Sequence, residues 1–201
     1  MFFFNIIGSC ALFSPLLKPT ILLFTPFNLL FVFLLFYWAN NDFSLVFIKL
    51  LAFVFALGLV VEIIGVNYKF VFGEYFYGET LGYKALGAPL IIGINWLNLS
   101  LACFGIASYL FKPKYLIILM SSFFMVLSDY LIEPIAGLLD FWYWSETEVP
   151  IKNYIAWFLI SILMGLILSQ YKFKLSFKLC MALLFSQLIF FIIQYFNHGL
   201  I

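Results

Sequence analysis

Asp129 and Glu133 stand four residues apart inside an apolar run, so a helix places both carboxyls on one face. Two carboxyl groups held close in a medium of low dielectric do not both ionise easily. One then keeps its proton beside an ionised partner. Such a pair supplies a general acid and a general base from a single helix face. The same spacing also fits a plainer role, as carboxylates solvated where a helix meets water. Glu62, at the end of an earlier apolar run, admits the same two readings. Ionisable groups at membrane depth are costly, and those that persist usually serve function.

These acids belong to two polar islands. The first runs from Glu62 to Trp96 and collects Asn67, Glu74, Glu79, Asn95 and a series of glycines, with Tyr68, Tyr75, Tyr77 and Tyr83 among them. The second runs from Asp129 to Asn153. In it Asp140 precedes Phe141, Trp142, Tyr143 and Trp144. Those rings fit an interfacial aromatic belt. They also fit a cation site, where π faces shield an electron-deficient intermediate. Asn95, Trp96 and Asn153 offer neutral hydrogen bonds able to place a water. Glu74, Glu79, Glu146 and Glu148 read as solvated loop positions. Gly73, Gly78, Gly82 and Gly87 read as sites of turning and close packing.

Much chemistry is excluded. His198 is the only histidine, and arginine is absent. A histidine-ligated metal, a Ser-His or Cys-His nucleophile and a bidentate arginine clamp are therefore not expected. Cys10, Cys103 and Cys180 are scattered through apolar sequence and read as structural thiols. No cofactor is expected. A net charge of +1 gives no footprint for nucleic acid.

The elements that must position the acids are membrane helices. The chain is 66% hydrophobic and 9% charged over its 201 residues, too few charges to cover a water-soluble surface. Apolar runs of roughly twenty residues match helices crossing a bilayer, and alternating barrel segments are lacking. The expected fold is all-α, a single transmembrane domain over 1–201 with about seven helices. They are read at residues 2–17, 21–38, 43–63, 88–111, 115–133, 154–171 and 177–196. Pro89 suits a helical first turn, and Pro134 is expected to kink or stop the fifth helix. The Gly-rich stretch is read as a loop with short interfacial helices. Counting crossings puts Glu62, Asn95, Asp129, Glu133 and Asp140 at one end of the bundle. Lys49, Lys112, Lys114, Lys172, Lys174 and Lys178 fall at the other, against Lys18, Lys69, Lys84 and Lys152 near the acids. The positive-inside rule then turns the acids toward the outer side.

Two blocks carry a family resemblance. FGEYFYGETLGYKALGAPLIIGINW, ending at Trp96, resembles the FGxYxYxxxLGxxxxGxPLxI…W signature of membrane carotenoid hydratases. That family includes the bisanhydrobacterioruberin hydratases and the γ-carotene 1′-hydratases. DYLIEPIAGLLDFWYWSETEVPIKNYIAWF, starting at Asp129, is similar to the same family's D…EPxA…DxWxW…P…NYxxWF block. Asn67-Tyr68-Lys69 departs from the pattern. The resemblance implies a cofactor-independent hydro-lyase that adds water across the terminal C1–C2 double bond of an acyclic carotenoid, giving a tertiary alcohol. With the chemistry of the residues themselves, the candidate catalytic acids for such a reaction are Asp129, Glu133, Glu62 and Asp140. The candidate substrate-binding set is Tyr75, Tyr77, Asn95, Trp96, Trp142, Trp144, Asn153 and Trp157. The expected partners are a bilayer-embedded carotenoid and water, with other carotenoid enzymes as further candidates, in a bacterial cytoplasmic membrane.

Three other readings compete. A retinal protein needs a lysine deep in its last helix, and Lys178 lies at the start. A small-molecule-binding subunit of a transporter has no need of the paired acids. A carotenoid cyclase begins with the same protonation but keeps the cation dry, and residue chemistry alone does not separate it from a hydratase.

Overall fold

The computed structural model describes residues 2–171 and 175–200. Three helices open the chain: α1 (Phe2–Ala11), α2 (Lys18–Leu23) and α3 (Thr25–Asn40). The expectation of two spanning helices here is corrected. Pro19 and Pro26 each occupy the first turn of a new helix, where a missing N–H costs nothing, and so divide the run. The left-handed Asn41 caps α3, and the Ser44 hydroxyl accepts the Phe47 N–H to start α4 (Leu45–Tyr68).

Four short strands follow in chain order: β1 (Tyr75–Tyr77), β2 (Lys84–Ala85), β3 (Ala88–Pro89) and, much later, β4 (Trp142–Trp144). Between β3 and β4 come α5 (Ile91–Leu110) and α6 (Lys114–Ala136), then a 3-10 turn at Gly137–Leu139. Helices α7 (Ile151–Leu168) and α8 (Phe177–Asn197) complete the chain. The interfacial helices expected in the Gly-rich stretch are absent among the described residues. Pro89 lies in a strand instead of a helix. Pro134 neither stops nor ends α6. It sits two residues before the end, where its ring forfeits only one late hydrogen bond.

Among the described residues, five helices, α4 to α8, have the length and hydropathy to cross a membrane, while α3 is apolar but shorter. The fold is thus a mostly helical membrane bundle with two small antiparallel strand pairs. Helix α5 is its axis, touching α3, α4, α6, α7 and α8. Its neighbours turn one face inward and leave large apolar residues such as Phe53, Phe123 and Leu159 outside, as a lipid-facing surface requires. On α4 the buried face is Phe47, Leu51, Val54, Gly58, Glu62 and Gly65, a helical stripe with a carboxyl set into it. Gly58 lets α4 approach α5, since a Cβ there would lie 2.6 Å from the Trp96 Cβ.

Strand β1 pairs with β4, matching Tyr75 to Trp144, Phe76 to Tyr143 and Tyr77 to Trp142. This ladder joins the two polar islands. Its period of two sends Tyr75, Tyr77, Trp142 and Trp144 toward the bundle, while Phe76 and Tyr143 stack on the other face with centroids 5.3 Å apart.

Candidate functional site

Three carboxyls converge beneath the ladder. Glu62 comes from the last turns of α4, Asp129 and Glu133 from one face of α6, and all three line one cleft. They are 4%, 1% and 7% exposed, so the solvated reading does not describe them. Two ion pairs lie apart from the cleft: Lys69 with Glu74, and Lys84 with Glu79 at 2.8 Å. Glu146 and Glu148 are exposed, as expected of a loop.

The three carboxyls differ in what holds them. Glu62 accepts from the Tyr75 hydroxyl at 2.6 Å and the Tyr77 hydroxyl at 2.7 Å on one oxygen, and from Trp96 Nε1 at 2.7 Å on the other. Burial, and then the neighbouring Glu62, push both tyrosine hydroxyls well above their ordinary value, so they stay donors. Glu133 accepts from Trp144 Nε1 at 2.8 Å and Trp142 Nε1 at 3.1 Å on Oε2. Asn153, in the first turn of α7, donates to Asp129 Oδ2 at 2.7 Å and to Glu133 Oε1 at 3.3 Å. Asp129 Oδ1 is buried with no hydrogen-bond partner.

Asn95 and Trp157 also line the cleft, and Trp157 stacks on Trp96 with ring centroids 3.9 Å apart. Every expected binding residue therefore lies in the cleft or, for Trp96, directly behind it. Phe72 and Ile92, which sequence reasoning missed, complete the lining. The cleft is small, about 20 Å³, room for a single water.

Asp140 goes elsewhere. Its carboxylate accepts the Glu79 and Thr80 N–H groups and the Thr80 hydroxyl on Oδ2, and the Tyr143 hydroxyl on Oδ1. Burial alone would raise it, but these bonds outweigh burial and hold the carboxyl below its ordinary range. Asp140 adopts φ 56°, and a Cβ on Gly78 would collide with its carboxylate and carbonyl. It staples the two islands together and does not line the cleft.

The cleft abuts a larger cavity of about 520 Å³, sharing Ile92, Asn95 and Trp142 with it as a common wall. This cavity lies among α1, α3, α5 and α8, and its other walls include Phe24, Phe27, Ile132, Phe141 and Phe191. Ile7, Phe24 and Phe27 are exposed on the apolar surface as well, so the mouth faces the lipid side. An apolar molecule can enter this cavity laterally. Among the described residues, no group of His, Cys, Asp and Glu is placed to hold a metal.

The family model described as carotenoid biosynthesis protein matches residues 22–198 of this chain. No curated protein and no solved structure matches it.

Proposed function

The chain belongs to the carotenoid biosynthesis protein family, and on that premise we propose that it adds water to the terminal C1–C2 double bond of an acyclic carotenoid end, giving a tertiary alcohol. The observation that carries this reading is Asp129 Oδ1, a buried carboxyl oxygen without a partner, in a water-sized cleft beside an apolar cavity.

Asp129 gives its proton to C2, and the π pair forms the new C–H bond, leaving a tertiary cation at C1. The rings of Tyr75, Tyr77, Trp142, Trp144 and Trp157 line the cleft beside Asp129, and their faces stabilise the cation. A water held near Asn95 adds its oxygen to C1, and Glu133 takes the released proton. The proton returns from Glu133 to Asp129, its neighbour one turn away on α6, before the next cycle. Asn153 keeps the two carboxyls in register. Glu62 has donors on both oxygens and orients Tyr75, Tyr77 and Trp96 instead of meeting the substrate. Asp140 acts as a fastener.

In the same reading the chain lies in a bacterial cytoplasmic membrane. The cleft is on the outer side. Lys49, Lys112, Lys114 and Lys178 stand at the opposite end from the cleft and Lys18, Lys69, Lys84 and Lys152 on its side, so the orientation rests on the sequence positions of Lys172 and Lys174. Lys172 and Lys174 lie outside the described residues.

Expression in a host that makes lycopene or γ-carotene tests the activity. The expected product is a 1-hydroxy carotenoid heavier by one water, read by chromatography with mass detection. An isomeric cyclised product without added oxygen would assign the chain to the cyclase chemistry instead.

A further inference from the structure

Besides Thr25 and Asn95, the largely apolar lining of the larger cavity carries a group of amides that the hydration chemistry does not use. Asn5 of α1, Asn28 of α3 and Gln187 of α8 all line it. Asn28 Nδ2 donates to Asn5 Oδ1 at 2.8 Å, which fixes the Asn5 amide with its Nδ2 free. Asn5 Nδ2 and Gln187 Oε1 are then left buried with no hydrogen-bond partner. Asn5 is 4% exposed and Gln187 9%. Buried polar groups are almost always paired, so two open atoms in one cavity mark a place where a ligand supplies the missing bonds.

The chemistry of that ligand follows from the pair. One open atom is a donor and the other an acceptor. No charged side chain lines the cavity among the described residues, so neither a carboxylate, a phosphate nor an ammonium finds a counter-charge there. A carbonyl or an ether only accepts and would leave Gln187 Oε1 open. A hydroxyl accepts from one group and donates to the other.

We propose that Asn5, Asn28 and Gln187 form a second polar subsite that binds a hydroxyl carried by the isoprenoid chain, apart from the end that reaches the carboxyls. This rests on the reading above that the cavity holds an isoprenoid. The hydroxyl accepts the Asn5 Nδ2–H and donates to Gln187 Oε1, while Asn28 holds Asn5 in orientation. The subsite favours an isoprenoid that already bears an alcohol over its pure hydrocarbon counterpart, because the hydrocarbon leaves both amides unpaired.

A binding measurement keeps this separate from turnover. The purified full chain in detergent, carrying Asp129→Asn so that no ligand is converted, is equilibrated with the isoprenoid alcohol farnesol or the hydrocarbon farnesene. Retained ligand is measured by gas chromatography. Gln187→Met and Asn5→Leu, both close in shape to the residues they replace, are each expected to weaken farnesol binding about tenfold. Farnesene binding should be unchanged, which also shows that the variants fold. Equal farnesol affinity in all forms would overturn the subsite. So would equal losses for both ligands, the result if only water meets these amides. If neither compound binds the parent chain, the cavity's assignment to an isoprenoid fails, and the subsite with it. If binding discriminates but no hydrated product ever forms, the subsite stands and the reaction assignment fails.

Discussion

Asp129 and Glu133 differ by their open valence: Asp129 keeps a free oxygen, while Glu133 is gripped by two indoles. Asp129→Asn and Glu133→Gln are each expected to lower hydration by at least about 100-fold, with losses far from additive. Glu146→Gln on the exposed loop should leave the rate unchanged, and product per unit of membrane protein measures all three. Asp140 should behave differently. Its carboxyl sits below the ordinary value of 3.8, so its staple is intact above that pH and is lost as pH falls through the folded value. Thermal melts should show Asp140→Asn less stable than the parent at neutral pH, with the gap closing in strong acid. A gap that widened toward low pH would contradict the assignment. Asp129, Glu133 and Glu62 were legible in the sequence because carboxyls in hydrocarbon are conspicuous. Asp140 was read as a fourth acid because its partners, Glu79 and Thr80, lie in the other island and no local spacing points to them.

The decisive element is the β1–β4 ladder, and it was not foreseen. Its signal was present as two alternating aromatic triplets, Tyr75-Phe76-Tyr77 and Trp142-Tyr143-Trp144. Three residues are too short a run for period alone to announce a strand, and the pairing is long-range. Helices α4 to α8 were legible from apolar length. The N-terminal run was not, because three short helices divided by proline carry the same composition as two long ones. Helix contacts explain the next expectation. Gly58→Ala drives a methyl group against Trp96, the residue that links Glu62 to Trp157. The change should cost about 1–3 kcal/mol, as overpacking does. It is measurable as a lower melting temperature in detergent, accompanied by reduced hydration.

At the scale of the molecule, a lipid-facing cavity abuts a small acidic cleft, with the boundary at Ile92, Asn95 and Trp142. That layout suits a reagent that never leaves the bilayer meeting one that arrives from water. The crossing count from sequence brought Glu62, Asn95, Asp129 and Glu133 to one end, as the structure does. The cavity itself had no sequence signature, because its walls are ordinary apolar residues that could equally have packed shut. The central claim is that water is the second substrate and that Asp129 starts its addition. The most direct measurement incubates the purified chain with an acyclic carotenoid in water enriched in heavy oxygen, beside the Asp129→Asn variant. The account predicts a tertiary alcohol carrying one solvent-derived oxygen from the parent chain and a loss of at least about 100-fold in the variant. An oxygen-free cyclised product, an alcohol whose oxygen is not from water, or full labelling by Asp129→Asn would contradict it.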